Sequence, residues 1–224
     1  QMPSRTATFS AVFVAEQGTR SETTGYTTAL EEIPTHELYA LVDVSEQQLE
    51  DSVFNVEAEM NGEFAEQFAK AEGTAFISGS GVGKPEGLLT NSDVSTTASG
   101  SSGAVAADSL LTLVHSLKSP YGQNGTFIFN RTTLGAIRKL KDTAGQYVFQ
   151  PGMMLTAGVP NTILGYPYVE MPDMPDVASS AKSIAFGDFS RGYMIVDRVA
   201  LSVLRDPFTQ ATSGNVRYVA RRRV

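Results

Sequence analysis

The sequence predicts an α+β chain, and three observations carry that prediction. A capping box at Ser45 opens a long run of apolar residues at helical spacing. Two shorter helical stretches flank a four-residue apolar strand, Thr126-Phe127-Ile128-Phe129. Beyond residue 160, short strand patterns succeed one another without strict strand–helix alternation, which favours antiparallel strands late in the chain.

The run from Thr6 to Glu16 is rich in β-branched and aromatic residues, with Phe9, Ala11, Phe13 and Ala15 on one face of a predicted strand. A polar turn over residues 17–25 follows. An extended pattern then resumes from Tyr26 to Val44 through Leu30, Ile33, Leu38 and Leu41. The two segments read as a long hairpin with too few apolar residues for a core of its own, an arm that must lie on something else.

In Ser45-Glu46-Gln47-Gln48 the serine oxygen can accept from the Gln48 amide while the Gln48 side chain returns to the Ser45 amide. Leu49, Val53, Val56, Met60, Phe64, Phe68 and Ala71 then form one stripe, with Glu50, Glu57, Glu59, Glu63 and Glu66 on other faces. The spacing predicts one helix over about residues 46–77, about 48 Å long. Gly62 and Gly73 each cost it about 1 kcal/mol relative to alanine, so packing of the stripe must hold it.

Residues 91–107 are small and polar and read as a linker. Asp108 is the expected cap of a helix carrying Leu110, Leu111, Val114 and Leu117, stopped by Ser119-Pro120. Asn130 caps the next helix, with Leu134, Ile137 and Leu140. The chain then turns irregular, and strands are expected near residues 161–171, 183–187, 192–205 and 215–224.

Composition excludes several kinds of chemistry. The 224 residues contain no cysteine, hence no disulfide, thiolate nucleophile or cysteine metal site. His36 and His115 are the only histidines, and Ala40 stands where H-E-x-x-H needs its second. No apolar run approaches the ~18 residues needed to cross a bilayer, and no membrane partner is expected. The formal charge of −7 conceals a split: residues 1–90 hold fifteen Asp/Glu against four Lys/Arg, and residues 91–224 hold nine against thirteen. An acidic first segment does not suit a direct reader of nucleic acid, and Arg221-Arg222-Arg223 reads as an ion-paired or solvated strand end.

The stretch from Gly79 to Leu89 imitates a phosphate loop around Gly83-Lys84. Ser78 stands where the first glycine belongs, Pro85 replaces the magnesium-binding Ser/Thr, and the stretch follows a helix rather than a strand. It reads as a helix stop and a turn. No G-x-S-x-G elbow exists around Ser78 or Ser80, and Asp173 and Asp176 lie in a Met-Pro-Asp-Met-Pro-Asp turn where aspartate commonly serves local hydrogen bonding. No catalytic, cofactor-binding or metal-binding residue is assigned.

The order of landmarks resembles the major capsid proteins of tailed bacteriophages, with the Hong Kong 97 phage shell fold. The resemblance spans about Val14 to Arg223. It begins with Phe13-Val14-Ala15-Glu16, Leu41-Val42-Asp43-Val44-Ser45 and Leu49-Glu50-Asp51-Ser52, then Phe76-Ile77-Ser78-Gly79-Ser80-Gly81 and Lys84-Pro85-Glu86-Gly87-Leu88. Asn130 with Leu134, Leu140-Lys141-Asp142 with Gly145 and Tyr147, Leu164-Gly165-Tyr166-Pro167 and Met171-Pro172 follow. Ala185-Phe186-Gly187-Asp188-Phe189, Tyr193 to Arg198 and Arg205-Asp206 complete it. Its specificity lies in order and spacing rather than in any one motif.

The resemblance implies an extended loop at residues 1–30, a peripheral domain from 31–90 with about 189–212, and an axial domain from 91–188 with about 213–224. It implies a structural, non-enzymatic subunit that self-assembles with copies of itself, as pentamers and hexamers, into an icosahedral shell around double-stranded DNA. The particle would be that of a tailed phage, prophage or gene-transfer agent, assembled in the bacterial host cytoplasm. Portal, scaffold, protease and decoration proteins are the implied partners, and an encapsulin-like shell around a cargo enzyme is the first alternative; a nucleotide-binding enzyme or hydrolase using the glycine-rich stretch ranks behind both. Relatives carry further segments before and after these landmarks, so the resemblance implies a processed or partial subunit. Some relatives join a loop lysine covalently to a neighbour's asparagine. Residues 1–69 contain no lysine, Thr27 or Thr28 occupies the corresponding position, and no cross-link is expected.

Overall fold

The computed structural model describes residues 2–7, 9, 11–23, 25–142, 144–147 and 162–224. Strands β1 (Met2–Ala7) and β2 (Thr27–Glu31) form an antiparallel ribbon. β3 (Glu37–Ser45) leads into helix α1 (Glu46–Asp51) and the long helix α2 (Val56–Ser78). Helices α3 (Ala107–Ser116) and α4 (Ser119–Gly122) precede β4 (Thr126–Phe129) and α5 (Arg131–Arg138). Next come β5 (Thr162–Ile163), β6 (Tyr166–Glu170), β7 (Ile184–Gly187), the one-turn α6 (Phe189–Gly192), β8 (Val199–Asp206) and β9 (Asn215–Arg223).

Two sheets carry two cores. In the first, β9 lies between β3 and β8, antiparallel to both, with Ala40 opposite Ala220 and Val44 opposite Val216. Val44, Val216, Tyr218 and Ala220 pack against Val56, Phe64 and Phe68 of α2. The second sheet has the order β5-β6-β4-β7, with β4 parallel to β6 and antiparallel to β7. Phe127, Phe129 and Ile163 pack there on Leu110 and Val114 of α3 and on Leu134 and Ile137 of α5. The turn between β5 and β6 uses Leu164 and Gly165, both at positive φ, the combination a type I′ hairpin needs.

Several local expectations hold. Ser45 Oγ accepts from the Gln48 amide at 3.2 Å, and Asn130 Oδ1 accepts from the Thr133 amide at 2.7 Å. Others need correction. The helix over 46–77 is two helices, because the Ser52 hydroxyl turns back onto the Gln48 carbonyl and the chain leaves helical geometry until Asn55 Oδ1 caps α2 through the Ala58 amide. α2 is therefore about 34 Å long rather than 48 Å. Val53, placed on the buried stripe by its spacing, is 105% exposed.

The strand expected over 6–16 is confined to β1, and residues 11–15 form no strand; the Tyr26–Val44 run divides into β2 and β3, which join different sheets. Asp108 lies inside α3, whose N-cap is Ala106; Ser109 Oγ accepts from the Ala106 amide instead. Ser119-Pro120 opens the short α4, with proline in its first turn, and α3 ends earlier, at Ser116. Residues 192–198 form no strand, which begins at Val199. The grouping of about 213–224 with residues 91–188 fails, since β9 is the middle strand of the sheet with β3 and β8. The irregular stretch expected after Gly145 lies largely outside the described residues.

Candidate functional site

The Gly79–Leu89 junction forms a closed turn over the C-terminus of α2. The Gly79 amide donates to the Ala75 carbonyl at 2.8 Å, Leu88 to Phe76 at 2.8 Å, and Leu89 to Ile77 at 2.9 Å. These bonds satisfy carbonyls that a helix end otherwise leaves open. A side chain at Gly87 would put its Cβ 2.5 Å from the Gly79 amide nitrogen, so only glycine permits this return. The partial charge here is that of a helix C-terminus, which repels anions, and Lys84 is exposed on the turn. Phosphate binding has no basis in this geometry. Tyr193 hydroxyl donates to the Glu86 carbonyl at 2.9 Å and Lys182 Nζ to the Leu89 carbonyl at 2.5 Å, tying the junction to the later part of the chain. Burial, with Glu86 nearby, pushes the Tyr193 hydroxyl pKa up. Beside the junction lies a cavity of ≈ 590 Å³ whose walls include Leu88, Leu110, Leu113 and Phe186.

The two aspartates of the Met-Pro-Asp-Met-Pro-Asp turn make structural hydrogen bonds. Asp173 accepts from Thr74 Oγ1 at 2.7 Å, and Asp176 accepts from Asn130 Nδ2 at 2.6 Å. His36 holds the chain end by backbone bonds with Val224, and His115 is exposed on α3. Among the described residues no group of three or more His, Cys, Asp or Glu could hold a metal ion, and no helix is long and apolar enough to cross a membrane.

Within the arginine cluster Arg222 is paired. Arg222 bridges Glu72 of α2 at 2.9 Å and Asp197 at 3.0 Å, while Arg217 grips Asp43 with two bonds of 2.7 and 2.8 Å. The Arg217 hydrogen bond holds the Asp43 carboxyl below the usual aspartate range, whereas burial pushes Glu72 up despite Arg222. Arg205 pairs with Glu57 at 3.3 Å, and the Tyr218 hydroxyl donates to the same carboxylate at 2.7 Å. Burial raises the Tyr218 pKa, reinforced by that bond. Sequence reasoning missed this network, because pairs such as Arg217 and Asp43 are 174 residues apart and meet only through sheet register.

Large apolar side chains are left on the surface. Among the residues whose burial is described, none before Val44 is buried. Phe9, Val12, Phe13, Val14, Tyr26 and Leu30 are exposed along the arm, Phe13 completely. Val53 and Phe54 at the α1–α2 break and Phe208 beyond β8 add further exposed apolar side chains. Thr27 and Thr28 start β2 opposite Ala7 and Arg5. A monomer rarely leaves this much large apolar surface unless it is covered in an assembly.

Comparison with known proteins decides what kind of assembly. The family model described as "Phage capsid family" matches residues 1–224. The chain belongs to the phage capsid family. It is a structural major capsid protein with the Hong Kong 97 phage-type fold. The capsid chain of a native GTA particle, computed with C5 symmetry, is 37% identical, with a TM-score of 0.87 over 99% of this chain and 78% of that one. The structure titled Microbacterium phage Oxtober96 shares the fold at 17% identity and TM-score 0.71, over 99% of this chain and 77% of that one. The holo-SrpI encapsulin complex from Synechococcus elongatus PCC 7942 shares it more distantly, at 14% identity and TM-score 0.55, over 90% and 71%. No curated protein matches the chain.

Proposed function

We propose that this capsid protein polymerises into an icosahedral shell enclosing double-stranded DNA, in a gene-transfer-agent particle or a closely related tailed-phage or prophage particle. The observation that carries this reading is the arm: Phe9, Val12, Phe13, Val14 and Leu30 are large apolar side chains exposed along it. In a ring of subunits they cover a neighbour, and heterologous contacts of that kind close into shells. The 37% identity to a native GTA capsid chain over nearly the whole length favours the gene-transfer agent, while the encapsulin shares the fold alone.

Residues 1–30 act as the extended loop. β3, α1, α2, β8 and β9 make the peripheral domain, and residues from about 91 to 188 make the axial domain. The subunit has no catalytic role and needs no cofactor. DNA is held without sequence reading, since Arg205, Arg217 and Arg222 already have carboxylate partners within the chain. No isopeptide bond forms at Thr27 or Thr28, because neither side chain carries an amine. Portal, scaffold, protease and decoration proteins would be the partners of assembly, in the bacterial host cytoplasm.

Electron microscopy of the purified chain tests the reading. Five-fold particles are expected from the intact chain. Deleting residues 5–28 should leave a folded monomer, judged by an unchanged circular dichroism spectrum outside the lost ribbon, with no particles. Normal particles from the deletion variant would refute the role of the arm.

A further inference from the structure

Two glycines lie within α2, and their surroundings differ. A Cβ at Gly62 would meet nothing within 4 Å, whereas one at Gly73 would stand 2.8 Å from Asp173 Oδ2 and 3.7 Å from Asp173 Cγ. Glycine disfavours a helix interior, so at Gly73 the loss has a steric counterpart: the missing side chain leaves a slot for one carboxylate. Asp173 occupies it. Thr74 Oγ1, the next residue along, donates to Asp173 Oδ1 at 2.7 Å, with the Lys70 carbonyl as its alternative acceptor at 3.0 Å.

The turn that carries Asp173 is fixed from its other side. The Met171 amide donates to the Phe129 carbonyl at 2.9 Å, at the end of β4. Asn130 Nδ2 donates to the Met174 carbonyl at 3.0 Å and to Asp176 Oδ1 at 2.6 Å, and Ser183 Oγ donates to the Asp176 carbonyl at 2.9 Å. Met174 is buried, and Pro172 and Pro175 each restrict φ. A stiff turn anchored in the four-stranded sheet thus presents one carboxylate to the long helix of the other core.

We propose that the Met171–Asp176 turn is a clasp between α2 and the four-stranded sheet, with Asp173 as a positioning residue that sets the angle between the two halves of the subunit and thereby the geometry of shell closure. The proposal rests on the shell-forming reading above. Heterologous contacts close only at particular rotations, so a change of angle inside the subunit alters the size or completeness of the particle.

The test uses the full chain, with the thermal midpoint of the subunit and particle diameter by electron microscopy as separate readouts. Gly73→Ala should displace the carboxylate and give malformed or heterogeneous particles. Gly73→Ala with Asp173→Ala removes the clash and gains helix propensity, raising the midpoint by ~2–4 °C over Asp173→Ala alone. Its particles should nevertheless stay aberrant, because the clasp is gone. Asp173→Asn keeps an acceptor for Thr74 and should restore particles of wild-type diameter. Wild-type particles from the double variant, or defects that follow the midpoint alone, would overturn the clasp while leaving the shell reading intact. Absence of particles from the wild-type chain would overturn both.

Discussion

The packing of α2 on the three-stranded sheet and the packing of α3 and α5 on the four-stranded sheet both bury apolar side chains, but the first core is bordered by charges and the second by rings. Around the first, Arg217, Arg205 and Arg222 pair with Asp43, Glu57, Glu72 and Asp197. Within the second, Phe127 lies 4.6 Å from Phe186 and 6.5 Å from Tyr166, and Phe129 stacks on Tyr168 at 5.3 Å. Part of the charge split along the chain is used here. The acidic first part contributes Asp43, Glu57 and Glu72, the basic second part returns the arginines, and β9 brings them together between β3 and β8. One half should therefore respond to acid and salt, and the other should not.

The largest effect is expected in the ring-bordered core. Phe129→Ala removes a fully buried ring and should cost about 3–5 kcal/mol in chemical denaturation, equally at low and high salt. A salt-dependent loss would break the contrast between the two cores.

Next comes a buried polar side chain beside that core. Asn130 is buried, caps α5 and holds the Met174 carbonyl and Asp176 at once. Asn130→Ala loses the cap and leaves buried groups unpaired, for about 2–4 kcal/mol in the same measurement. Asn130→Asp keeps the capping oxygen but sets a carboxylate against Asp176, and should recover only part of the loss.

Asn130 also shows what local sequence can reveal. A capping side chain and the amide it binds are three residues apart, so Ser45 and Asn130 are readable without a fold. Asn55 carries the same signal, yet the continuing three-and-four spacing through Val53 and Val56 masks the break before it. Periodicity records which residues could share a face, not whether the backbone stays helical between them. The central position of β9 is a different matter. Its partners, Glu37 opposite Arg223 and Val199 opposite Arg223, come from distant parts of the chain, and no local pattern encodes that choice. The same holds for the Gly73–Asp173 approach: the glycine is visible as an unfavourable helix residue, but its reason lies a hundred positions away.

The smallest effect separates two carboxylates of the charge-bordered core by the sign of their response to pH. Asp43 titrates below its usual 3.8 because Arg217 bonds its charged form, so the folded state binds the proton less readily than the unfolded chain. Its stabilisation is present above 3.8 and is lost as pH falls through the lowered folded value. Asp206 acts in the same direction, held down first by the Thr209 hydroxyl and then by the Phe208 and Thr209 amides. Glu72 is opposite. Burial raises it above 4.5, so its contribution is complete below 4.5 and is lost as pH rises through the raised folded value. Thermal midpoints from about pH 3 to about pH 7 should therefore fall on the acid side in the wild type. Asp43→Asn should flatten that acid limb, and Glu72→Gln should instead remove a decline on the side above 4.5. If both variants flatten the same limb, burial does not govern Glu72, and Arg222 binds it as firmly as Arg217 binds Asp43.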